Sequence, residues 1–363
     1  MNTGKNGVGA GVVGLGVGRA HVIGLMESEY ARMLAVCDLL EDRLAQAREY
    51  FKTDTYTDLD EFLAREDIDL VVVATPDHTH REVALAVIDA GKHLLLEKPV
   101  ALDIPSAVDI VSAAKKKGVK FCIGYEYRLN PVTLRTKELI DQGVLGDIAG
   151  MSLQHFRGPF MRDKWEQWIQ KKQYSGGMIV EETCHWFDLL RHYKGMEMTR
   201  VNCVKSDWVF DDFDFEDLAY THGTFEDGSI WEVSHVLTGF DFDLTIIING
   251  TKGTLWSSVK DKERSPLDNY VTEHMGVLAY RTHGRPSEET VVEVFGPEIH
   301  EVKNIADFAG YFAKAVAEDL PVPVTGEDGI AALNIALCAS CPPTRDGWWI
   351  YRRWIFDHTP SDD

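Results

Sequence analysis

The stretch Val8-Gly-Ala-Gly-Val-Val13-Gly14-Leu-Gly-Val-Gly18 decides how the chain begins to fold, because an apolar strand pattern runs directly into three closely spaced glycines. The residues that follow, Arg19, Ala20 and His21, continue as a helical pattern. Glycine allows the tight turn and close backbone approach that such a junction needs. The stretch therefore predicts a strand, a glycine turn and a helix, the unit that opens a doubly wound parallel sheet.

Strand and helix patterns alternate through the rest of the first third of the chain. Strands are predicted at residues 33–37, 68–74, 93–96 and 119–123, and helices at 18–28, 42–51, 80–90 and about 103–117. This alternation is typical of an α/β domain with a parallel Rossmann sheet. We expect that domain to span residues 1–124.

The pattern changes near residue 125, where period-2 alternation of apolar and polar residues becomes common. Strands are predicted at residues 151–156, 201–209, 219–225, 230–237 and 242–249, and helices at about 131–142, 177–194, 305–318 and 327–340. We expect an α+β domain with a large, mostly antiparallel open sheet over residues 125–340, followed by an atypical tail at 341–363. That tail begins within Cys338-x-x-Cys341, which lacks the second ligand pair of a zinc site.

Composition limits the possible partners and compartment. The 363 residues carry a formal net charge of −21, which argues against binding to nucleic acid or anionic membrane. The six cysteines are scattered, mostly in apolar contexts, and no apolar run approaches the length of a membrane span. We therefore expect a soluble cytoplasmic protein that binds a small molecule.

Two overlapping glycine patterns compete at the N-terminus. Gly9-x-Gly11-x-x-Gly14 fits the usual dinucleotide spacing but neither follows a strand nor opens a helix. Gly14-x-Gly16-x-Gly18 does both, although its third glycine comes one residue early. A pyrophosphate at this turn would meet the free N–H groups and positive dipole end of the helix.

Asp38 ends the second predicted strand, 24 residues after Gly14. A carboxylate there can accept hydrogen bonds from an adenosine ribose and would repel a 2′-phosphate, which favours NAD over NADP. The alternative is that Asp38 only caps the next helix.

Two further segments place charged residues beside apolar ones. Glu97-Lys98-Pro99 follows an apolar strand, where a parallel sheet presents chemistry to its ligand, although a surface turn is the alternative. In the predicted helix 177–194, Glu181, His185 and Asp188 would share one face. A metal site built on Glu182-x-x-His185 would need a second such pair, so we expect no metal, and a buried core histidine remains an alternative.

These motifs together resemble the Gfo/Idh/MocA oxidoreductase family, which includes glucose–fructose oxidoreductases and inositol dehydrogenases. The resemblance covers about residues 8–335. The matching elements are Gly14-x-Gly16-x-Gly18-x-x-His21, Asp38, Thr75-Pro76-Asp77-His78-Thr79-His80, Glu97-Lys98-Pro99, residues 125–131 and residues 176–188. The family usually has Asp where this chain has Glu181, and commonly Asn at position 77.

The resemblance implies an NAD-dependent oxidoreductase, with NADP the less favoured cofactor, that acts on a secondary alcohol of a sugar, polyol or glycoside. It implies Lys98, Glu181 and His185 as the catalytic residues, with either Lys98 or His185 as the principal base. Cofactor contacts are expected from Gly14, Gly16, Gly18, Asp38, Thr75, Pro76, His80, Glu97 and Lys98. Substrate contacts are expected from Tyr125, Arg128, Arg157, Trp165, Trp168 and Glu182, although both tryptophans could instead be core or interface residues.

Two other functions remain open at this point. A regulatory protein could bind NAD without turnover, but it would not need Lys98 together with His185. An enzyme could instead cleave a glycoside through transient oxidation and regenerate NAD in each cycle. In either case an open sheet with a bare apolar face predicts a homodimer or homotetramer.

Overall fold

The computed structural model describes residues 7–159, 168–238, 242–261, 274–296, 299, 301–341 and 349–350. Most of the tail expected at 341–363 lies outside these ranges. Among the described residues, no helix combines the length and apolar character that a membrane crossing requires.

The first sheet has six parallel strands in the order β3-β2-β1-β4-β5-β6. These strands are β1 (Val8–Val13), β2 (Ala31–Cys37), β3 (Asp54–Tyr56), β4 (Leu70–Val73), β5 (His93–Glu97) and β6 (Phe121–Gly124). The central strands are apolar on both faces, and every residue of β4 is buried. Helices cover both faces, as parallel sheets require. The predicted Rossmann sheet is therefore confirmed, with β3 as a short edge strand that the sequence pattern did not reveal.

The helices of this first unit are α1 (Gly18–Glu27), α2 (Glu41–Tyr50), α3 (Leu59–Leu63), α4 (His80–Asp89) and α5 (Ile104–Lys117). Asp103 caps α5 by accepting a hydrogen bond from the Ser106 N–H, and Gly118 ends the helix with a positive φ of 73°. A side-chain acceptor at the start of a helix and a left-handed glycine at its end are ordinary helix signals. The predicted bounds of this helix, about 103–117, therefore agree closely with the observed ones.

The second sheet has nine strands in the order β14-β13-β12-β11-β7-β10-β9-β8-β15. They are β7 (Ile148–Phe156), β8 (Met198–Ser206), β9 (Leu218–Phe225), β10 (Ile230–Val236), β11 (Phe242–Gly250), β12 (Gly253–Asp261), β13 (His274–Thr282), β14 (Val291–Phe295) and β15 (Trp349–Ile350). All pairs are antiparallel except β7 with β10. The large antiparallel sheet is confirmed, but β12 to β15 were not predicted.

The remaining helices are α6 (Pro131–Asp141), α7 (Lys172–Ser175), α8 (Met178–Glu181), α9 (Thr183–Lys194), α10 (Glu301–Ala317) and α11 (Gly326–Ser340). Helix α10 returns to the first unit, where a Cβ on Gly24 of α1 would lie 1.9 Å from the Ala306 carbonyl oxygen. Helix α11 also lies against it, since a Cβ on Gly326 would come within 2.8 Å of the Phe121 ring. The predicted second domain thus sends two helices back over the first.

The single helix predicted over residues 177–194 is wrong. The chain forms α8 and α9 with a break at Glu182, whose φ and ψ are −113° and −46°. Because the helical path is interrupted, the i, i+4 relation between Glu181 and His185 does not describe where their side chains lie.

Candidate active site

A cavity of about 540 Å³ lies at the carboxyl ends of the first sheet's strands and extends to the junction of α8 with α9. This edge of an open parallel sheet is where ligands bind. Among its lining residues are Gly14, Gly16, Asp38, Thr75, Pro76, Asp77, Glu97, Lys98, Glu126, Tyr127, Arg157, Trp168, Glu181, Glu182 and His185. The structure thus gathers most of the residues predicted for cofactor, substrate and catalysis around one space.

The glycine turn fits an anion. Gly14 has a φ of 90°, and a Cβ there would lie 2.4 Å from the Ala74 carbonyl oxygen, so only glycine is accommodated. Helix α1 has no side-chain cap and no acidic residue in its first turn, which leaves its first N–H groups for a pyrophosphate. Gly18 does not line the cavity as predicted. It packs instead, since a Cβ there would approach the Val12 and Ala74 side chains at 3.1 and 3.3 Å.

Asp38 lies on the cavity wall beside this turn and is 8% exposed. Its Oδ2 accepts hydrogen bonds from the Leu15 N–H at 2.7 Å and from Arg43 at 3.2 Å, and its Oδ1 accepts from the Leu40 N–H at 2.8 Å. Helix α2 has Leu40 as its N-cap, with no side-chain cap bond. Asp38 therefore holds the glycine turn and the start of α2 at the cavity wall, and it is not itself the N-cap of that helix.

His80 does not line the cavity, contrary to prediction, and has no exposed surface. Its Nδ1 lies 2.7 Å from the Pro99 carbonyl oxygen and its Nε2 lies 2.9 Å from that of Thr75. It joins the two motif loops that follow β4 and β5. His80 thus affects the cavity indirectly, because it holds the backbone of Thr75 and Pro99 in place.

Lys98 and Glu181 form the central ion pair of the cavity. The Lys98 ammonium donates to Glu181 Oε1 at 2.6 Å and to the Glu181 backbone carbonyl at 2.8 Å. The break after α8 leaves that carbonyl available outside the regular helical ladder. Burial would lower the pKa of Lys98, but neighbouring carboxylates, Glu181 first, raise it well above its usual value. Lys98 is therefore held as a cation, with one of its three N–H groups left beyond these two bonds.

Glu97 is held on the other side of Lys98. His21 Nε2 lies 2.6 Å from Glu97 Oε1, and the histidine is 1% exposed. Burial would raise the pKa of Glu97, but the hydrogen bond and charge of His21 bring it below its usual value. The contact ties α1 to the end of β5, so the glycine turn and Lys98 are fixed relative to each other.

His185 lines the cavity with 4% of its surface exposed. Its ring packs edge-on against Tyr125 and Tyr127, with centroids 5.4 and 5.7 Å away. Burial, followed by the charge of Lys98, lowers the pKa of His185 to about 3. The carboxylate near its Nδ1 is Glu126, at 3.9 Å, a residue that the sequence did not single out. Glu181, the third residue expected to be catalytic, is paired with Lys98 and not with His185.

The sequence did not assign a role to Asp77. It is 4% exposed and lines the cavity, and its Oδ2 makes no hydrogen bond to any described residue. Burial, followed by the charge of Glu181, raises the pKa of Asp77 well above its usual value. A neutral carboxylic acid here can donate a hydrogen bond, as the amide of an asparagine would.

The wall contributed by the second sheet includes part of the predicted substrate set. Arg157 Nη1 lies 2.9 Å from Glu182 Oε2, and both residues line the cavity. Trp168 also lines it, next to the ring of His78 with centroids 6.4 Å apart. Trp165 lies outside the described residues.

Tyr125 and Arg128, predicted as substrate contacts, lie behind the wall. Tyr125 is 1% exposed, and Arg128 makes two hydrogen bonds to Asp188 at 2.6 and 2.7 Å. The tight turn at Glu126–Leu129 directs Glu126 and Tyr127 to the cavity instead. The predicted common helix face of Glu181, His185 and Asp188 does not extend to the cavity, because Asp188 lies behind the wall and neutralises a buried arginine.

Comparison with known proteins agrees with this architecture. Residues 8–125 match the family model described as "Oxidoreductase family, NAD-binding Rossmann fold", and residues 133–256 match that of the "GFO/IDH/MocA C-terminal domain". The chain is 27% identical to myo-inositol 2-dehydrogenase of Thermotoga maritima over 91% of this chain and 94% of that protein. It is 30% identical to 2,7-anhydro-N-acetylneuraminate hydratase of Escherichia coli over 73% of this chain and 71% of that protein.

A solved structure of a related protein has a similar fold. The structure of GenD2 from gentamicin A biosynthesis, in complex with NAD, is 25% identical and has a TM-score of 0.76. The match covers 92% of this chain and 93% of that one. With the glycine turn, the Lys98 loop and the two sheets in place, the chain belongs to the Gfo/Idh/MocA family of NAD-binding oxidoreductases.

Proposed function

We propose that the protein transfers a hydride between NAD and a secondary alcohol of a sugar, polyol or glycoside, with Lys98 and His185 as the catalytic residues. The observation that carries this proposal is the placement of both side chains in the cavity that also contains the glycine turn and Asp38. The names of the myo-inositol dehydrogenase and related dehydrogenases support the substrate class.

Gly14, Gly16, Asp38 and the Thr75-Pro76 loop would hold NAD, which would supply the hydride acceptor when bound. Lys98 stabilises the substrate oxygen by donating its remaining N–H group as negative charge develops there. Two bonds to Glu181 fix the ammonium in place, so little reorganisation is needed during the reaction. Glu181 is thus proposed to position Lys98 rather than His185.

His185 is proposed as the base that removes the hydroxyl proton. Its low pKa leaves the imidazole neutral and able to accept a proton at neutral pH. The raised pKa of Lys98 makes the ammonium a poor base. Of the two assignments that the sequence left open, the geometry and charges therefore favour His185 as the base and Lys98 as the stabilising cation.

The substrate is proposed to lie against Arg157, Glu182 and Trp168. The aromatic face of Trp168 suits the C–H face of a sugar ring, while the paired Arg157 and Glu182 can exchange hydrogen bonds with its hydroxyl groups. Asp77, which lines the same cavity, adds a further donor.

A second candidate is a reaction with transient oxidation and no net formation of NADH. The name of the 30% identical hydratase favours it, because hydration involves no net change in oxidation state. Both candidates need Lys98, His185 and NAD. A protein that only senses NAD would not need Lys98 together with His185. We therefore consider this function less well supported than either enzymatic candidate.

One experiment separates these candidates. Purified enzyme with NAD would be incubated with a panel of polyols, sugars, glycosides and anhydro sugars, with absorbance following NADH and chromatography following the substrate. NADH formed in proportion to the oxidised product supports the dehydrogenase, and product without NADH supports transient oxidation. No conversion of any panel member, despite measurable NAD binding, would contradict both.

We also propose a cytoplasmic homodimer or homotetramer, with residues 1–124 binding NAD and residues 125–340 supplying substrate contacts and the subunit interface. Six free cysteines and a net charge of −21 are consistent with a reducing compartment without nucleic-acid or membrane partners. The observation that supports the proposed assembly is a row of apolar side chains on the exposed face of the second sheet. Ile247, Trp256 and Val292 in this row are 36%, 39% and 58% exposed.

A further inference from the structure

Behind the Glu182 side of the cavity, two histidines face each other on neighbouring strands. His155 on β7 and His235 on β10 are register partners in the parallel pair of strands. Both are 0% exposed, and their ring centroids are 4.7 Å apart. Two imidazoles so close together in a core are unusual, because each brings polar nitrogens that need partners.

Part of the hydrogen-bonding capacity of these two rings is unused. Among the described residues, Nε2 of His235 makes no hydrogen bond, and neither nitrogen of His155 makes a short, well-aligned one. Glu182 is the third member of the group, with its Oε1 located 3.4 Å from His155 Nε2. One ligand atom from each of the three residues lies within 4.8 Å of the other two.

The outer atoms of two members are already held by neighbours. Nδ1 of His235 lies 2.8 Å from the Thr183 hydroxyl, and Oε2 of Glu182 lies 2.9 Å from Arg157. Partners of this kind fix the orientation of metal ligands and leave the opposite atom free to bind.

We infer that His155, Glu182 and His235 form a binding site for one divalent transition-metal ion. Zn²⁺ fits this site best, because it prefers imidazole and carboxylate ligands. In a tetrahedral Zn²⁺ site, ligand atoms about 2.1 Å from the ion are roughly 3.4 Å from one another. The His155–Glu182 separation already has this value, and the remaining separations, which are at most 4.8 Å, would shorten when the ion binds.

The protonation states of the three residues suit this role. Burial lowers the pKa of His155 and of His235, so both rings are neutral near pH 7. Burial opposes ionisation of Glu182, but Arg157 and His155 bring its pKa well below the usual value. The ion would fix the Glu182 carboxylate on the cavity wall. The sequence did not suggest this site, because its ligands come from three separate elements.

The inference is tested by adding Zn²⁺ or Co²⁺ to chelator-treated, full-length protein. We expect one equivalent to bind per chain by calorimetry and elemental analysis. The Co²⁺ complex should show visible absorption bands without the near-ultraviolet band of a cobalt thiolate, which excludes Cys338 and Cys341 as the ligands. Substitutions His155→Ala and His235→Ala should each weaken binding at least a hundredfold.

The matched control is His222→Ala, which removes a histidine from the adjacent strand β9 and should leave metal affinity unchanged. Should the core variants fail to fold, an anomalous difference map from wild-type crystals grown with Zn²⁺ locates the ion directly. Density between His155, Glu182 and His235 supports the inference. Absence of stoichiometric binding, binding that survives both substitutions, or a thiolate spectrum would overturn it, and NAD binding would remain measurable in each case.

Discussion

Lys98 and His185 line one cavity, and each has a carboxylate neighbour from a different element, Glu181 for Lys98 and Glu126 for His185. Lys98 and His185 could be found because each lies in a short motif, one at a strand end and one after a glycine turn. Glu126 and the group of His155 with His235 could not, because their proximity depends on packing between distant elements. The pairing of Glu181 with Lys98 was also missed, since it follows from the break at Glu182.

The buried setting of His185 leads to an expectation about pH. The free imidazole has a pKa of 6.5, whereas burial and Lys98 lower the pKa of His185 to about 3. Since the base is already neutral above the lowered value, kcat/KM should not decline as pH falls from 7 to 5. An acid limb with a midpoint near 6.5, absent from His185→Ala, would contradict this account.

Asp38 should control the choice of cofactor. In Asp38→Asn the side chain keeps an acceptor for the Leu15 N–H but loses the charge that repels a 2′-phosphate. We expect the ratio of kcat/KM for NAD to that for NADP to fall about tenfold, equivalent to about 1.4 kcal/mol. Asp38→Ala should lower it at least as much. An unchanged ratio in both variants would reduce Asp38 to a turn residue.

At the scale of elements, periodicity and caps identified most helices and the parallel strands. The failures have physical causes. Helix α8 ends at Glu181 although the apolar pattern continues into α9, because tertiary contacts such as those of Lys98 with Glu181 override local periodicity. The short strand β3 and the late strands β12 to β14 lacked a sequence signal that distinguished them from loops, and they are ordered by pairing with neighbours.

Arg128 should be a structural residue of the interface between elements. It joins the turn before α6 to Asp188 of α9 and to Asp328 of α11, with Asp188 1% exposed. Arg128→Met leaves that carboxylate with only the more distant Arg191, at 3.8 Å. We expect the free energy of unfolding to fall by about 3 kcal/mol in denaturant titrations.

The matched control for this change is Arg135→Met, which breaks a more exposed pair with Glu293. Its cost should be about 0–1 kcal/mol. If Arg128→Met is as stable as wild type and instead raises the substrate KM, the earlier assignment of Arg128 to substrate binding would be restored.

At the scale of the whole molecule, the sequence predicted the two sheets and their order along the chain. It did not predict that α10 and α11 return to the first unit, because amphipathic helices do not specify which sheet they cover. The exposed face of the second sheet remains the feature with the clearest consequence for assembly. Ile247, Trp256, Ala279 and Val292 are successive register partners across β11 to β14.

Placing a charge in this row should disrupt the assembly. Trp256→Glu puts a carboxylate on the centre of the apolar row, which we expect to convert the oligomer to monomer in light scattering at micromolar concentration. Glu288→Gln, outside the row, serves as the control. A wild-type protein that is already monomeric, or a Trp256→Glu protein with unchanged mass, would show that this face is not the interface.

Lys98 and His185 are proposed to perform the chemistry beside NAD bound at the glycine turn. The most direct measurement is single-turnover conversion of a substrate identified by the panel, together with the NAD dissociation constant, in Lys98→Ala and His185→Ala. We expect each substitution to slow conversion at least a hundredfold while the NAD dissociation constant changes by less than about fivefold. Wild-type conversion rates in both variants would contradict the assignment of this cavity as the active site.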